Sequence, residues 1–338
     1  MKASSLWFCS PRRVEFREEN VEPPDGGDVL VEALYSGISH GTEMLVYRGE
    51  VPGDMALDLT LTTMKGGFGY PVKYGYASVG RVIKLGPDAA RLREGDVVFV
   101  HHPHQTLYTV SEKAAVKLPA DVDTMLGVFV ANLESALNCL LDCGIRLGES
   151  VAVFGQGVVG LLIAQLARRS GAGTVVTVDR IEGRRAVSLA SGADYSLDPE
   201  PGGASAAIRD LTGGAGADVV IEASGSPDAL DDAIRSAVFQ GQVVVVSWYG
   251  SKPATLHLGN EFHRQRIRIK SSQVSSIDPA LTPRWSTARR MDVVLKLLPQ
   301  LDLSGLVSDV FTFDEAQQAY EKIDGRPEEV LQVVLKYV

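Results

Sequence analysis

Two hydrophobic rhythms follow one another along this chain. Over residues 1–121, apolar residues gather in short runs separated by Gly, Pro and Asp. These runs cover 29–35 after the Pro/Asp/Gly cluster at 23–28, then 76–85, then 96–101 after the turn Arg93-Glu94-Gly95-Asp96. Short strands with frequent glycine turns predict a small, irregular β-barrel. Residues 50–70, rich in Gly, Thr and Met, read as a long loop able to flank a cleft.

From residue 122 the rhythm changes. Helical spacing at 124–143, 181–191, 204–211 and 227–238 alternates with compact apolar runs at 151–154, 174–178, 218–223 and 242–247. Alternation of this kind predicts a parallel sheet covered by helices on both faces, a doubly wound Rossmann layout. Helices at 289–298 and 313–323 and a last strand at 329–337 follow. The implied domains are 1–121, then a nucleotide-type domain at 122–273, then 274–338 returning to the first. Within 262–270 the chain alternates strictly, with Arg264, Arg266, Arg268 and Lys270 at period two. That stripe reads as an edge strand guarded by charge or paired across a dimer, or as a site for an acidic substrate tail.

One stretch organises the second rhythm. Val151-Ala152-Val153-Phe154 runs into Gly155-Gln156-Gly157-Val158-Val159-Gly160 and then an amphipathic helix ending near Ser170-Gly171. Strand, Gly-x-Gly-x-x-Gly and helix in that order form a dinucleotide fingerprint. The first glycine permits the turn, the second leaves room for a pyrophosphate, and the third lets helix pack on strand. Free N–H groups at the helix start would face the phosphates. The next strand ends on Asp179, 19 residues after Gly160, near the ~20 expected of a carboxylate that binds the adenosine ribose. Asp179 favours NAD over NADP because it would repel a 2′-phosphate; Arg180 and Arg184 beside it would accommodate that phosphate or cover the adenine.

Composition narrows the function. The 338 residues carry 45% hydrophobic and 22% charged side chains, as in a soluble globular protein of two domains. A net charge of −9 argues against nucleic acid as a partner. No uninterrupted apolar run approaches the ~20 residues of a membrane span, and residues 1–9 contain no secretory h-region. Cys9, Cys139 and Cys143 make no disulfide framework or zinc finger, so a reducing cytoplasm is the expected setting.

Several motifs together resemble the medium-chain dehydrogenase/reductase superfamily. They are Val29-Leu30-Val31-Glu32 with Ser36-Gly37-Ile38 and Gly41-Thr42-Glu43, Gly75-Tyr76-Ala77-Ser78-Val79-Gly80-Arg81-Val82, Gly95-Asp96-Val97-Val98, the glycine fingerprint, and Val333-Val334-Leu335. The resemblance implies a GroES-like catalytic domain joined to a Rossmann cofactor domain, a small-molecule substrate, and a homodimer. By family position, Ser224, Gly225, Ser247, Ser272 and Gln273 lie near the cofactor.

Zinc-dependent members hold a catalytic metal through three motif positions. Here those positions read His40 or Ser39, then Tyr76-Ala77, then about Ala131, and a catalytic zinc wants three good protein ligands. Only 22 residues separate Asp96 from Pro119, none of them cysteine, so the structural-zinc lobe is absent too. The resemblance is to the zinc-lacking branch that contains bacteriochlorophyllide hydroxyethyl dehydrogenase. His102 and His104, with His40, His101 and Glu134, are the residues from which a new metal site would have to be built; the expectation is no metal.

Without a Lewis acid, protein groups must manage the proton. His40, Tyr76, Glu134 and His102 are the candidates, with Ser39 and Thr42 as hydroxyl relays. The leading expectation is zinc-free, NAD-dependent interconversion of a secondary alcohol and a ketone. The alternatives are an enoyl or quinone reductase of the same superfamily, and a nucleotide-binding protein without catalysis.

Overall fold

The computed structural model describes residues 1–57, 63–64, 66–199 and 202–337. The predicted loop at 50–70 therefore lies partly outside the described residues; within them, Ala56 bridges Gly67. The chain forms two compact units, Met1–Ala131 with Leu295–Val338, and Asn132–Val294.

The first unit opens with a two-stranded ribbon, β1 (Lys2–Ser10) and β2 (Arg13–Asn20). Then come β3 (Asp28–Ile38), α1 (Thr42–Arg48), β4 (Ser78–Leu85), β5 (Val97–Val100), β6 (Leu107–Ser111) and β7 (Ala115–Lys117). Strand β3 pairs antiparallel with both β4 and β6, and the buried Val29, Val31, Val79, Val82 and Phe99 fill the interior.

Helix α2 (Val130–Cys143) continues a 3-10 turn over Thr124–Phe129 and leads into the second unit. The span Thr124–Cys143 is long and apolar enough to cross a membrane, at mean hydropathy 1.4, yet 67% of the apolar window is buried in the protein. A buried carboxylate, Glu134, points from it, so it is a core helix. The sheet strands are β8 (Ser150–Phe154), β9 (Thr174–Val178), β10 (Tyr195–Leu197), β11 (Ala217–Glu222), β12 (Ala237–Val245) and β13 (Arg268–Ser271). Between them run α3 (Val158–Arg169), α4 (Glu182–Ala190), α5 (Ser205–Leu211) and α6 (Pro227–Ser236), and α7 (Thr287–Leu297) follows.

All neighbouring pairs are parallel, in the order β10-β9-β8-β11-β12-β13. Strands β8 and β9 are buried along nearly their whole length, as a sheet covered on both faces requires. This is the doubly wound order of two mononucleotide-binding halves, reversing between β8 and β11.

The first unit resumes with β14 (Val307–Thr312), α8 (Ala316–Gly325) and β15 (Gln332–Lys336). Strand β15 pairs antiparallel with β3, with Val333, Val334 and Leu335 fully buried.

Two expectations need correcting. The charged stripe at 262–270 is not one strand. Residues 258–264 are helical, Arg266 sits at φ +56°, and only Arg268–Ser271 joins the sheet, at its edge. The turn buries Ile267 in the core, Gln240 donates its N–H to the Gln265 carbonyl, and Lys270 pairs with Asp142 and Asp278. Arg264 and Arg266 thus leave the face they share on paper, and Lys270 is committed to internal carboxylates. Residues 274–294, assigned in sequence to the returning segment, cluster with the second unit because Arg290 and Asp278 bind partners there.

Candidate active site

The cofactor edge is built where β8 and β11 end side by side. Gly155 leaves β8 at φ +90°, and a Cβ on it would lie 2.6 Å from the Ser224 backbone. A Cβ on Gly160 would stand 1.9 Å from the Gly155 carbonyl oxygen, whereas one on Gly157 meets nothing within 4 Å. Two glycines therefore serve close packing and the middle one keeps open space, the division of roles a pyrophosphate site needs. Gly157, Val158 and Val159 are half-buried at the start of α3, while Gln156 is buried, its amide donating to Val153 and Gly155 carbonyls.

Asp179 follows β9 at 8% exposure. Its two oxygens accept N–H groups from Gln156 (2.7 Å) and Ile181 (2.8 Å), so the acid also ties the glycine loop to the neighbouring strand. Arg180 is exposed and Arg184 half-buried on α4. A third arginine binds here. Arg185 donates to the Asp179 carbonyl at 2.7 Å and pairs with Asp198.

Glu222, unremarked in the sequence beyond ending its strand, is fully buried at the end of β11. One oxygen accepts the N–H of Ser224 (2.6 Å), the N–H of Gly225 (3.0 Å) and the Ser224 hydroxyl; the other accepts Tyr249 Oη–H at 2.8 Å. Ser247 Oγ takes a second bond from the Gly225 N–H (2.9 Å). Burial and the Glu222 charge raise the Tyr249 phenol well above its usual range, so it stays a donor. The carboxylate thereby shapes the Ser224–Gly225 turn that faces Gly155. A carboxylate closing an otherwise apolar strand just before Ser-Gly was the available signal.

The candidate Glu134 is also occupied. Its Oε1 accepts Arg290 Nη2–H (2.6 Å) and Nε–H (3.2 Å), with both residues buried. A carboxylate held by an always-charged guanidinium serves as an ion-pair partner, which corrects the expected acid–base role. Ser272 and Gln273 follow β13 and are held by α2, as described below.

In the first unit, the turn before α1 gathers hydroxyls around a buried acid. Glu43 is 0% exposed; its Oε1 accepts the Ser39 N–H at 2.9 Å, and its Oε2 accepts Tyr320 Oη–H at 2.7 Å and faces His104 Nε2 at 2.8 Å. His104 Nδ1 lies 2.7 Å from Ser36 Oγ, which lies 2.9 Å from Tyr337 Oη. With Nε2–H donating to the carboxylate, Ser36 donates to Nδ1 and Tyr337 to Ser36, and each link has one donor. A Cβ on Gly75, at φ +123°, would fall 2.6 Å from the His104 ring, so the imidazole occupies the space of that absent side chain.

Tyr76 follows. Burial, together with the Glu43 charge, pushes its phenol up to about 12, against hydrogen bonds from the Ser39 and Thr42 hydroxyls. His40 is half-buried on the same turn as Ser39. Ser39, His40, Thr42 and Tyr76 are thus brought together, backed by Glu43 and His104, which the sequence placed only in a motif and in a metal candidate cluster.

His102 is not among them. It stacks on Tyr108 at 3.8 Å between ring centroids, its Nδ1 lies 2.9 Å from the Pro103 carbonyl oxygen, and burial drives its pKa down to about 3. Burial keeps this imidazole neutral, and its stack on Tyr108 gives it a packing role rather than a place in the Tyr76 hydroxyl cluster.

The unfolded chain binds a proton at His102 below about 6.5 and the folded one only near 3, so folding stability is lost as pH falls through that window. The thermal midpoint of the protein therefore drops between pH 7 and 5. His102→Phe, which keeps the stack, should flatten that slope; an unchanged slope would remove His102 as its cause.

No group of three or more His, Cys, Asp or Glu among the described residues is arranged to hold a metal ion. At the positions where zinc-dependent relatives carry ligands, hydroxyls and alanines offer poor donors, and His40 alone is a good one.

Residues 158–291 match the zinc-binding dehydrogenase family. Over 322 residues the chain is 29% identical to D-guloside 3-dehydrogenase of Escherichia coli (strain K12), covering 90% of this chain and 92% of that one. It is 28% identical over 287 residues to 2-desacetyl-2-hydroxyethyl bacteriochlorophyllide A dehydrogenase of Cereibacter sphaeroides, covering 80% and 81%. The chain belongs to the medium-chain dehydrogenase/reductase superfamily. The superfamily fold extends over its full length. A Sinorhizobium meliloti 1021 dehydrogenase bound to NADP matches with a TM-score of 0.79 over 99% of each chain, at 21% identity. As a medium-chain dehydrogenase, the protein is an NAD(P)-dependent oxidoreductase of small molecules.

Proposed function

We propose that this medium-chain dehydrogenase interconverts a secondary alcohol and its ketone with NAD and without zinc. The observation that carries the reading is the Ser39–Thr42–Tyr76 hydroxyl cluster over buried Glu43, with His40 or Ser39 and then Tyr76 standing at two of the positions where zinc-dependent members carry ligands. A bound nicotinamide supplies or accepts the hydride. Tyr76, kept protonated by burial and the Glu43 charge, donates a hydrogen bond to the substrate oxygen where negative charge develops. Ser39 and Thr42 fix the direction of that phenol. His40, on the same turn, exchanges the alcohol proton, the usual task of an imidazole near neutral pH. The ribose-binding acid Asp179 supports NAD over NADP.

Two further readings go with this one. The unpaired outer edge of β13, with Ile269 exposed, supports a homodimer joined through that strand. Three cysteines that are all thiols support a reducing, cytoplasmic setting.

The test combines elemental analysis with turnover. The purified protein should oxidise secondary alcohols with NAD, hold no stoichiometric zinc, and keep its rate after chelation. Zinc at one per chain whose removal abolishes the rate would overturn the zinc-free reading. Turnover confined to quinones or enoyl substrates with NAD(P)H would overturn the alcohol reading.

A further inference from the structure

Helix α2 carries Glu134, Asn138 and Asp142 at successive four-residue intervals, a polar stripe along one face of a core helix. Each is engaged. Arg290 pairs with Glu134 and also donates from Nη1 to Asn138 Oδ1. The Asn138 amide donates to the Gln273 carbonyl (3.3 Å), Ser272 Oγ (3.4 Å) and Asp142 Oδ2 (3.0 Å). Asp142 accepts the Ser272 hydroxyl at 2.7 Å and Lys270 at 3.1 Å. Asn138 is 2% exposed and Arg290 2%. A polar network this buried is costly unless complete, so its members converge on something that must not move.

What they converge on is the segment leaving β13, at the carboxyl edge of the sheet, where ligands bind in this layout. The strand order supplies the register. Asp179 follows β9 and belongs to the half that takes the adenosine, so the nicotinamide half lies over β11, β12 and β13. We propose that Asn138 and Asp142 are positioning residues that hold Ser272 and Gln273 to receive the nicotinamide end of the dinucleotide. The proposal rests on the cofactor reading above. It explains why a core helix spends two polar side chains, Asn138 and Asp142, on a segment that is exposed at Gln273.

Asn138→Asp isolates this role. It keeps an acceptor for Arg290 but removes both amide N–H donors and sets a second carboxylate beside Asp142. Binding of NAD and of ADP-ribose, which lacks the nicotinamide, is measured by calorimetry on the full chain. The variant should bind NAD about tenfold more weakly, the loss expected of one or two hydrogen bonds, and ADP-ribose within about twofold of wild type. Equal weakening of both ligands, or no change in either, would overturn the proposal. If Asn138→Asp does not fold, Ser272→Ala, which deletes one hydroxyl, decides by the same two ligands. Wild-type protein that binds neither ligand would instead sink the cofactor reading itself, a distinct result.

Discussion

Arg290→Ala destabilises the protein by about 3–5 kcal/mol, the usual cost of stripping one partner from a buried ion pair. The arginine is 2% exposed and holds both Glu134 and Asn138, so its loss leaves a carboxylate in the interior without its guanidinium. For a unit of this size, that corresponds to a fall of roughly 10 °C in the thermal midpoint. Replacing the pair together, as Glu134→Leu with Arg290→Met, should recover most of the loss, because well-packed apolar side chains often substitute for a buried pair at little cost. Denaturant melts of the two single variants and the double measure both effects. A single-variant loss under ~1 kcal/mol would mean that the pair is solvated rather than interior. Glu134→Gln gives the functional counterpart. Turnover per folded molecule should survive it, whereas a catalytic acid would not.

Tyr76→Phe lowers kcat by about 10²–10³ and leaves KM nearly unchanged, since only a donor to the developing charge is removed. The ring is retained, and with it the edge contact to Tyr74 at 6.1 Å. Because the phenol titrates near 12 rather than 10, the wild-type rate should show no alkaline loss from this group at pH 10. Its contribution to stability is fully present below pH 10 and is lost progressively as pH rises from about 10 to about 12. Steady-state kinetics of ketone reduction from pH 7 to 10 check the two rate predictions. A kcat within threefold of wild type would remove Tyr76 from the chemistry.

The parts of the molecule that were legible in the sequence are those written locally. Gly155, Gly157 and Gly160 signal the turn within six residues, and the alternation of apolar strands and helices foretells the parallel sheet. What escaped was set by partners far along the chain. Glu134 was a candidate through its nearness to a motif, and its actual partner is 156 residues away. The Glu43 cluster joins residues 36, 43, 104, 320 and 337, whose meeting depends on β15 pairing with β3. The arginines at 264, 266 and 268 failed for another reason. Alternation of period two is a strand signal only where the backbone is extended, and the burial of Ile267 bends it here.

The glycine at position 75 also limits how this chain can be redesigned. As long as an imidazole stands at 104, no heavier residue is tolerated at 75, since its first carbon would land on that ring. Grafting metal-coordinating side chains onto positions 39 and 76 would therefore have to proceed around a fixed backbone swivel. Trimming residue 104 to release the swivel would sever Glu43 from Ser36 and Tyr337.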